Sequence, residues 1–230
     1  MSDLIPQQKR EISVSKPRGL EEEIDRQDIL IPRAKKLEAM SPEATDGIGK
    51  PGQIINSITK EVCPEKFIPI FFFKQWIRFN PRKDSDPGFV KEFGPGEMIY
   101  RTNDARDERL KLDGVWRGSE PPYATAFLNF FSVFEGQSVP TIISFCNTSY
   151  KAGKTLLSLI SFSNEDMFRR KYSLTTKKTQ NDQGTFFVLE TKVAGKPTDE
   201  EFAQCESLYN SFRGKDLEVH QEQEVSSVPF

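Results

Sequence analysis

The chain has 230 residues, a length typical of one large domain with tails, and its net charge of −2 excludes a uniformly basic nucleic-acid binder. Hydrophobic residues make up 36% of the chain, and about 40% when glycine is counted and tyrosine is not. Ordinary globular domains reach ~45–50% on that count, so part of the chain is expected to stay unpacked. No apolar run is long enough for a membrane helix or a signal peptide.

The sequence contains few residues that could bind a metal ion or haem or act as a reactive thiol. Cys63, Cys146 and Cys205 are far apart and odd in number, which predicts free thiols in a reducing compartment. The only histidine, His220, lies in a polar tail. Zinc sites and nucleophilic catalysis draw on clustered cysteine, histidine and acidic residues. We therefore predict that the protein is not an enzyme and uses no cofactor and no metal.

One short motif resembles the end of a phosphate-binding P-loop. Gly153, Lys154 and Thr155 match its last residues, but Thr148 stands where the motif requires a glycine. Helix entry after a strand explains the same residues, so we do not predict nucleotide hydrolysis.

The first third of the sequence contains few patterns that predict a helix or a strand. Residues 1–27 mix charges and prolines and are expected to form a flexible arm. Residues 28–40 carry an apolar cluster that is expected to dock on the body, and residues 41–53 contain enough glycine and proline to turn. Residues 66–80 are rich in Ile, Phe and Trp and predict a long strand with a bend or bulge at Pro69.

A long insertion follows this strand, and the later elements alternate between hairpins and helices. Residues 81–122 predict a loop with a short strand at 97–101, and residues 123–134 and 139–146 predict a hairpin. Residues 149–161 have the spacing of an amphipathic helix. Two further elements complete this region: a second hairpin at 171–178 and 185–193, and a helix with a capping box at Thr198 and Glu201 that ends at Gly214.

The order of these elements predicts a mainly β fold. Five strands with a helix between the third and the fourth are typical of the OB-fold, a Greek-key barrel. We therefore expect a five-stranded OB-like barrel over residues 28–213, with one inserted helix and a C-terminal helix, although other five-stranded folds remain open. An acidic tail is expected at 214–230, and both tails are expected to be disordered.

The two signs of charge occupy different parts of the chain. Residues 66–83 hold five basic residues and no acidic one, and residues 147–178 hold seven basic residues and two acidic ones. Residues 196–230 hold three basic residues and eight acidic ones. A basic body is thus combined with an acidic end.

The first basic strand also carries aromatic rings, and the two together favour single-stranded nucleic acid. Cations bind the phosphates, and bases stack on rings at ~1–3 kcal/mol per base. Strand alternation puts Phe72, Lys74, Trp76 and Arg78 on one side, which is the candidate binding face. The alternative is that these rings fill the core.

Further cations extend the candidate surface. The other residues predicted to bind DNA are Arg82, Lys83, Lys151, Lys154, Arg169, Arg170, Lys171, Tyr172, Lys177 and Lys178. For the hairpin lysines, solvated charge is the alternative. The three adjacent cations at 169–171 repel one another unless a polyanion or acidic residues compensate them, and the acidic tail is one candidate.

The end of the chain carries a resemblance to a known family. Glu222 and Glu224 precede Val228-Pro229-Phe230, and this pattern resembles the acidic, Pro-Phe tip of bacterial single-stranded DNA-binding proteins. In that family the tip recruits replication and repair enzymes. The departure here is Ser226-Ser227, where the family usually has acidic residues.

A second resemblance covers residues 28–213. It rests on Ile31-Pro32-Arg33, Ser41-Pro42-Glu43, Lys50-Pro51-Gly52, Asn56-Ser57-Ile58-Thr59, Thr176-Lys177-Lys178 and Asn181-Asp182-Gln183-Gly184-Thr185. These segments resemble a tailed-phage family regarded as single-stranded DNA-binding. The resemblance implies an OB-type core that binds single-stranded DNA without catalysis or sequence preference.

The expected setting is phage DNA replication, recombination or repair in the host cytoplasm, with replication or recombination proteins as partners of the tip and no membrane. Homo-oligomerisation stays open. The alternative is a phage structural or assembly protein with a β-sandwich core and no nucleic-acid binding.

Overall fold

The protein is described by a computed structural model that covers residues 30–182 and 184–214, and it is mainly β. The expectations for the arm at 1–27 and for the tail beyond Gly214 lie outside these residues. The strands are β1 (Ala34–Lys36), β2 (Ile54–Asn56), β3 (Lys66–Phe79), β4 (Met98–Thr102), β5 (Ala124–Phe134), β6 (Thr141–Phe145), β7 (Lys171–Asn181) and β8 (Gly184–Gly195). The helices are α1 (Pro42–Thr45), α2 (Leu110–Asp113), α3 (Tyr150–Ser161) and α4 (Asp199–Phe212).

Strand β3 is the centre of the main sheet. The six antiparallel strands follow the order β6-β5-β3-β7-β8, with β4 paired to the far end of β3. The predicted irregularity at Pro69 is confirmed, since the register of β3 against β5 shifts between Pro69 and Phe71. Proline cannot donate a ladder hydrogen bond, so a bulge at this position costs little.

The structure shows the expected mainly β fold, but its described residues do not form a closed sheet. Among the described residues β6 and β8 do not pair, and the sheet is open there. Helix α3 packs against both strands instead. The segment around β1 also spans the gap: Ile142 N donates to Pro32 O over 2.8 Å, and Lys36 Nζ donates to Phe187 O. The edges are thus occupied by a helix and by a two-stranded β1-β2 sheet that the sequence did not predict.

Each face of the main sheet has its own hydrophobic core. Phe67, Phe130 and Phe145 pack with Leu156 of α3 on one face. Residues such as Phe131 and Ile142 pack under α4 on the other face. The bulge shifts β3 by one residue, so Phe67 and Phe72 face the α3 side while Ile68 and Phe71 face the α4 side.

The two long helices are confirmed, and α4 begins at the predicted capping box. Thr198 Oγ1 accepts a hydrogen bond from Glu201 N at 3.2 Å, and Glu201 Oε2 accepts one from Thr198 N at 2.7 Å. Gly214 follows the helix with φ at +77°, a conformation that glycine adopts without steric cost.

The segment at 81–122, predicted as a loop, is folded and contains β4 and α2. We call this segment the excursion. Asn80, only 2% exposed, holds its first half. Its side-chain Nδ2 donates to the carbonyl oxygens of Val90 (3.0 Å), Phe93 (2.8 Å) and Gly94 (3.2 Å), and its Oδ1 accepts from Val90 N (2.9 Å). One buried amide therefore satisfies several backbone groups that a free loop would leave to water.

A buried carboxylate fixes α1 to the β1-β2 sheet. Glu43 Oε1 lies 2.7 Å from Lys35 Nζ and 3.1 Å from Lys60 Nζ, and the Glu43 side chain is 6% exposed. Burial raises the pKa of this carboxyl, but the hydrogen bonds from Lys35 and Lys60 outweigh burial and lower it from 4.5 to about 2. A carboxyl whose pKa is lowered by folding stabilises the folded protein at pH values above its unfolded pKa. This stabilisation is lost as the pH falls through the folded pKa.

We expect Glu43→Gln to lower the free energy of unfolding at pH 7 by about 2–3 kcal/mol, since this variant cannot ionise. The difference from the wild type should shrink near pH 3, which lies between the unfolded pKa of 4.5 and the folded pKa of about 2, because folding must then remove a proton from the carboxyl. Urea unfolding at the two pH values measures both quantities. Glu61→Gln, at an exposed neighbouring carboxyl, is the control. Equal losses in the two variants would contradict the prediction.

Candidate functional site

The candidate binding face of β3 is arranged as the alternation predicts. Beyond the bulge, Gln75 and Ile77 are buried toward one side, at 3% and 1% exposure. Lys74 and Trp76 are half-buried on the other side, where β5 places Leu128 and Ala126 opposite them. Lys74 Nζ lies 4.5 Å from the centre of the Trp76 ring, a cation–π contact.

A cleft of about 500 Å³ opens beside Trp76. Most of its lining is aromatic, prolyl or alanyl: Trp76, Trp116, Pro121, Pro122, Ala126 and Tyr150. Trp116, from the loop at 81–122, is 63% exposed. An open cleft with two indole rings can hold a flat aromatic ligand by stacking.

Three cations around this cleft are not neutralised by an acidic neighbour. Within the described ranges, Lys74, Lys151 and Lys154 form no ion pair. Lys151 and Lys154 are exposed on α3, and Lys154 lies one helical turn after Tyr150, which lines the cleft. These lysines are available to an anionic ligand.

Other predicted cations are already paired within the protein. Each has a carboxylate within 4.0 Å: Arg78 with Asp113 (2.8 Å), Arg169 with Asp166 (3.4 Å), Arg170 with Glu165 (2.9 Å), Lys171 with Glu135 (2.7 Å) and Glu201 (2.8 Å), and Lys177 with Glu190 (4.0 Å). The cluster at 169–171 is thus compensated by nearby acids of the folded domain, and we remove it from the candidate site.

Two of the residues predicted to bind DNA, Tyr172 and Lys171, have their side chains in the interior of the protein. Tyr172 is 1% exposed, its ring lies 6.1 Å from that of Phe67, and burial raises its pKa. Lys171 is 8% exposed between its two carboxylates. Phe72 is half-buried, with its ring 5.2 Å from that of Phe130, so it belongs to the core on the α3 side. The start of β7 pairs with β3 in the middle of the sheet, and this position buries the side chains of Lys171 and Tyr172.

The remaining candidates lie apart from the cleft lining. Lys177 and Lys178 are exposed, and alternation along β7 directs them to opposite faces of the hairpin. Arg82 and Lys83 are exposed at the beginning of the loop at 81–122. The tip residues Glu222, Glu224, Val228, Pro229 and Phe230 lie outside the described residues.

Asp113 is a residue that sequence reasoning missed, and it connects the loop to β3. Its Oδ2 accepts hydrogen bonds from Arg78 Nη1 at 2.8 Å and from Tyr100 OH at 3.0 Å, and Oδ1 lies 3.8 Å from Arg117 Nη2. Burial and the Asp113 carboxylate raise the pKa of Tyr100 to about 12. The guanidinium of Arg117 also lies 4.0 Å from the centre of the Tyr123 ring.

The cysteines are free thiols, and burial raises the pKa of Cys63 and of Cys205 to about 12. Neither is poised as a nucleophile, because the thiolate is the reactive form. In the part of the chain that the structure describes, no group of three or more His, Cys, Asp and Glu side chains could hold a metal ion.

Comparison with known protein families identifies the family of this chain. The family model for Pam3 phage gp34-like proteins matches residues 4–218, nearly the whole chain. The chain belongs to the Pam3 phage gp34-like family. The phage origin expected from the sequence is therefore confirmed. Comparison with the curated proteins and with the solved structures gave no match. None of the described helices has the length and apolarity needed to span a membrane.

Proposed function

We propose that this member of the phage family binds single-stranded DNA, without catalysis or sequence preference, during phage replication, recombination or repair in the host cytoplasm. The observation that carries the proposal is the cleft, where Lys74 lies on the Trp76 ring and Tyr150 begins the helix that carries Lys151 and Lys154. Neither of these two helical lysines forms an ion pair with another described residue. Rings for base stacking and free cations for phosphates are the two groups that a single strand requires.

The connectivity of the sheet supports an OB-type core. Strand β3 pairs with both β5 and β7, β6 follows β5, β8 follows β7, and α3 lies between β6 and β7. An OB-fold has this order and is a partly open barrel. The pair that would close the barrel, β6 with β8, is the one that α3 separates here.

The acidic tail completes the proposal. We assign Glu222, Glu224 and the Val228-Pro229-Phe230 tip to the recruitment of replication or recombination proteins, on the basis of its resemblance to the bacterial tip. A terminal phenyl ring suits an apolar pocket, and the preceding carboxylates suit a basic rim.

Fluorescence anisotropy of a labelled oligo-dT tests the DNA-binding proposal. The full chain should bind at about 50 mM salt and much more weakly at about 200 mM, because counterions are released from the phosphates. Lys151→Glu with Lys154→Glu should weaken binding and reduce the slope of log affinity against log salt by about 2, one for each lysine.

Lys50→Glu with Lys192→Glu is the matched control, since it makes the same charge change at exposed lysines outside the cleft. It should retain the salt slope of the wild type. The proposal fails if the full chain gives no salt-dependent anisotropy change, and this outcome favours the structural or assembly role.

A further inference from the structure

The cleft has two walls that come from distant parts of the chain. Trp76 stands on β3, where it pairs with Ala126 of β5 and Thr102 of β4. Trp116 lies on the loop at 81–122 and reaches the same cleft. The wall on β3 is therefore part of the sheet, and the opposite wall is added by the excursion.

The floor of the cleft is made of small side chains. The register places Ala124 opposite Arg78 and Ala126 opposite Trp76, and both alanines line the cleft. A larger residue at 126 would occupy the space beside the Trp76 ring. Alanine at 126 therefore leaves the space beside the Trp76 ring open.

The polar groups of the lining are uncharged. Asn147 and Thr148 carry amide and hydroxyl groups, and the lining contains no Asp, Glu, Lys, Arg or His. The cation Lys74 lies on the Trp76 ring. Amide and hydroxyl groups can hydrogen-bond to the edge of a base, whereas a phosphate requires charge. The interior thus suits a flat, neutral heterocycle, and its rim suits the attached phosphates.

The loop wall is held in place by Asp113. Arg117, next to Trp116, contacts the Tyr123 ring and lies 3.8 Å from the Asp113 carboxylate, which also binds Arg78 of β3. Trp116 is thus presented by an anchored segment, although its own side chain is exposed. Preorganised aromatic walls reduce the entropy lost on binding.

We infer that the cleft receives one unpaired nucleobase of the bound strand between Trp76 and Trp116. This inference rests on the proposed DNA binding and adds to it a defined site for one base. The two tryptophans are the only ones in the chain, which makes each of them a separate reporter.

The test uses the full chain in two single-tryptophan variants, Trp76→Phe and Trp116→Phe, titrated with oligo-dT. Each remaining indole should be quenched, and both should follow the same binding curve, because one base contacts both walls. Anisotropy of the labelled oligo-dT measures total binding in parallel. Binding by anisotropy without quenching of Trp116 overturns the inference and leaves the proposed function intact, whereas absence of binding overturns both.

Two substitutions separate base insertion from binding elsewhere on the surface. Trp116→Ala, at an exposed position, should weaken oligo-dT binding about 5- to 150-fold, as expected for the loss of one stacked base, with an unchanged salt slope. Ala126→Leu should also weaken binding, since it fills the cleft, while Leu159→Ala on the exposed face of α3 should not. Wild-type affinity in both Trp116→Ala and Ala126→Leu overturns the inference.

Discussion

Replacing Asp113 with alanine should lower the free energy of unfolding by about 3 kcal/mol, the lower end of the cost of breaking a buried ion pair. The Arg78 side chain is 16% exposed and that of Asp113 is 11% exposed, so the guanidinium would lose its partner away from bulk water. The hydroxyl of Tyr100, which donates to the same carboxylate, would also be left without its acceptor. Urea unfolding measures the loss.

The control variants separate charge from hydrogen bonding. Asp113→Asn keeps an oxygen for the Tyr100 hydroxyl but removes the charge that Arg78 requires, so it should lose part of the stability. Asp84→Ala, at an exposed carboxylate of the same loop, should stay near the wild type. If Asp113→Ala is as stable as Asp84→Ala, then Asp113 does not anchor the excursion.

The second large effect is expected at Gly153, where α3 packs directly on the sheet. A Cβ atom at this position would lie 2.5 Å from Phe145 Cβ, 2.8 Å from Phe145 Cγ and 3.1 Å from Leu128 Cδ1. Both neighbours are buried core residues, so they cannot move aside freely. Gly153→Val should therefore lower the free energy of unfolding by about 3 kcal/mol through overpacking.

Thr155→Val is the matched control, because it places a valine at an exposed position of the same helix. It should change stability by less than about 0.5 kcal/mol, as surface substitutions usually do. Gly153→Ala should lie between the two, since alanine favours a helix by about 1 kcal/mol over glycine but still clashes. Equal stabilities of Gly153→Val and Thr155→Val would contradict this. Gly153 thus serves helix-to-sheet packing, and its likeness to a P-loop glycine has a structural cause.

The local patterns of the sequence predicted the elements well where a segment carries its own signal. The apolar density of β3, the turn chemistry of both hairpins and the capping box of α4 depend on neighbouring residues, and all are present. The sequence could not predict β1 and β2, because three residues carry no measurable period. It also missed the folded state of 81–122, whose first half is held by the amide of Asn80 and whose second half is joined to β3 by Asp113.

The candidate site required more than local pattern. Sequence alone identified Lys74 and Trp76 as neighbours on one face of a strand, since alternation is a local property of β structure. It could not distinguish Lys151, which forms no ion pair with another described residue, from Lys171, whose partner Glu135 lies 36 positions earlier. Trp116 joins the site on a segment that Asp113 connects to Arg78, 35 positions earlier in the chain.

The sequence by itself therefore determined the main strands, the two long helices, the segregation of charge and the mixed cationic and aromatic face of β3. Only the tertiary structure decided which cations remain unpaired, which rings are buried and which two tryptophans share a cleft. The physical reason is that backbone periodicity depends on adjacent residues, whereas burial and ion pairing depend on residues that the chain brings together from far apart.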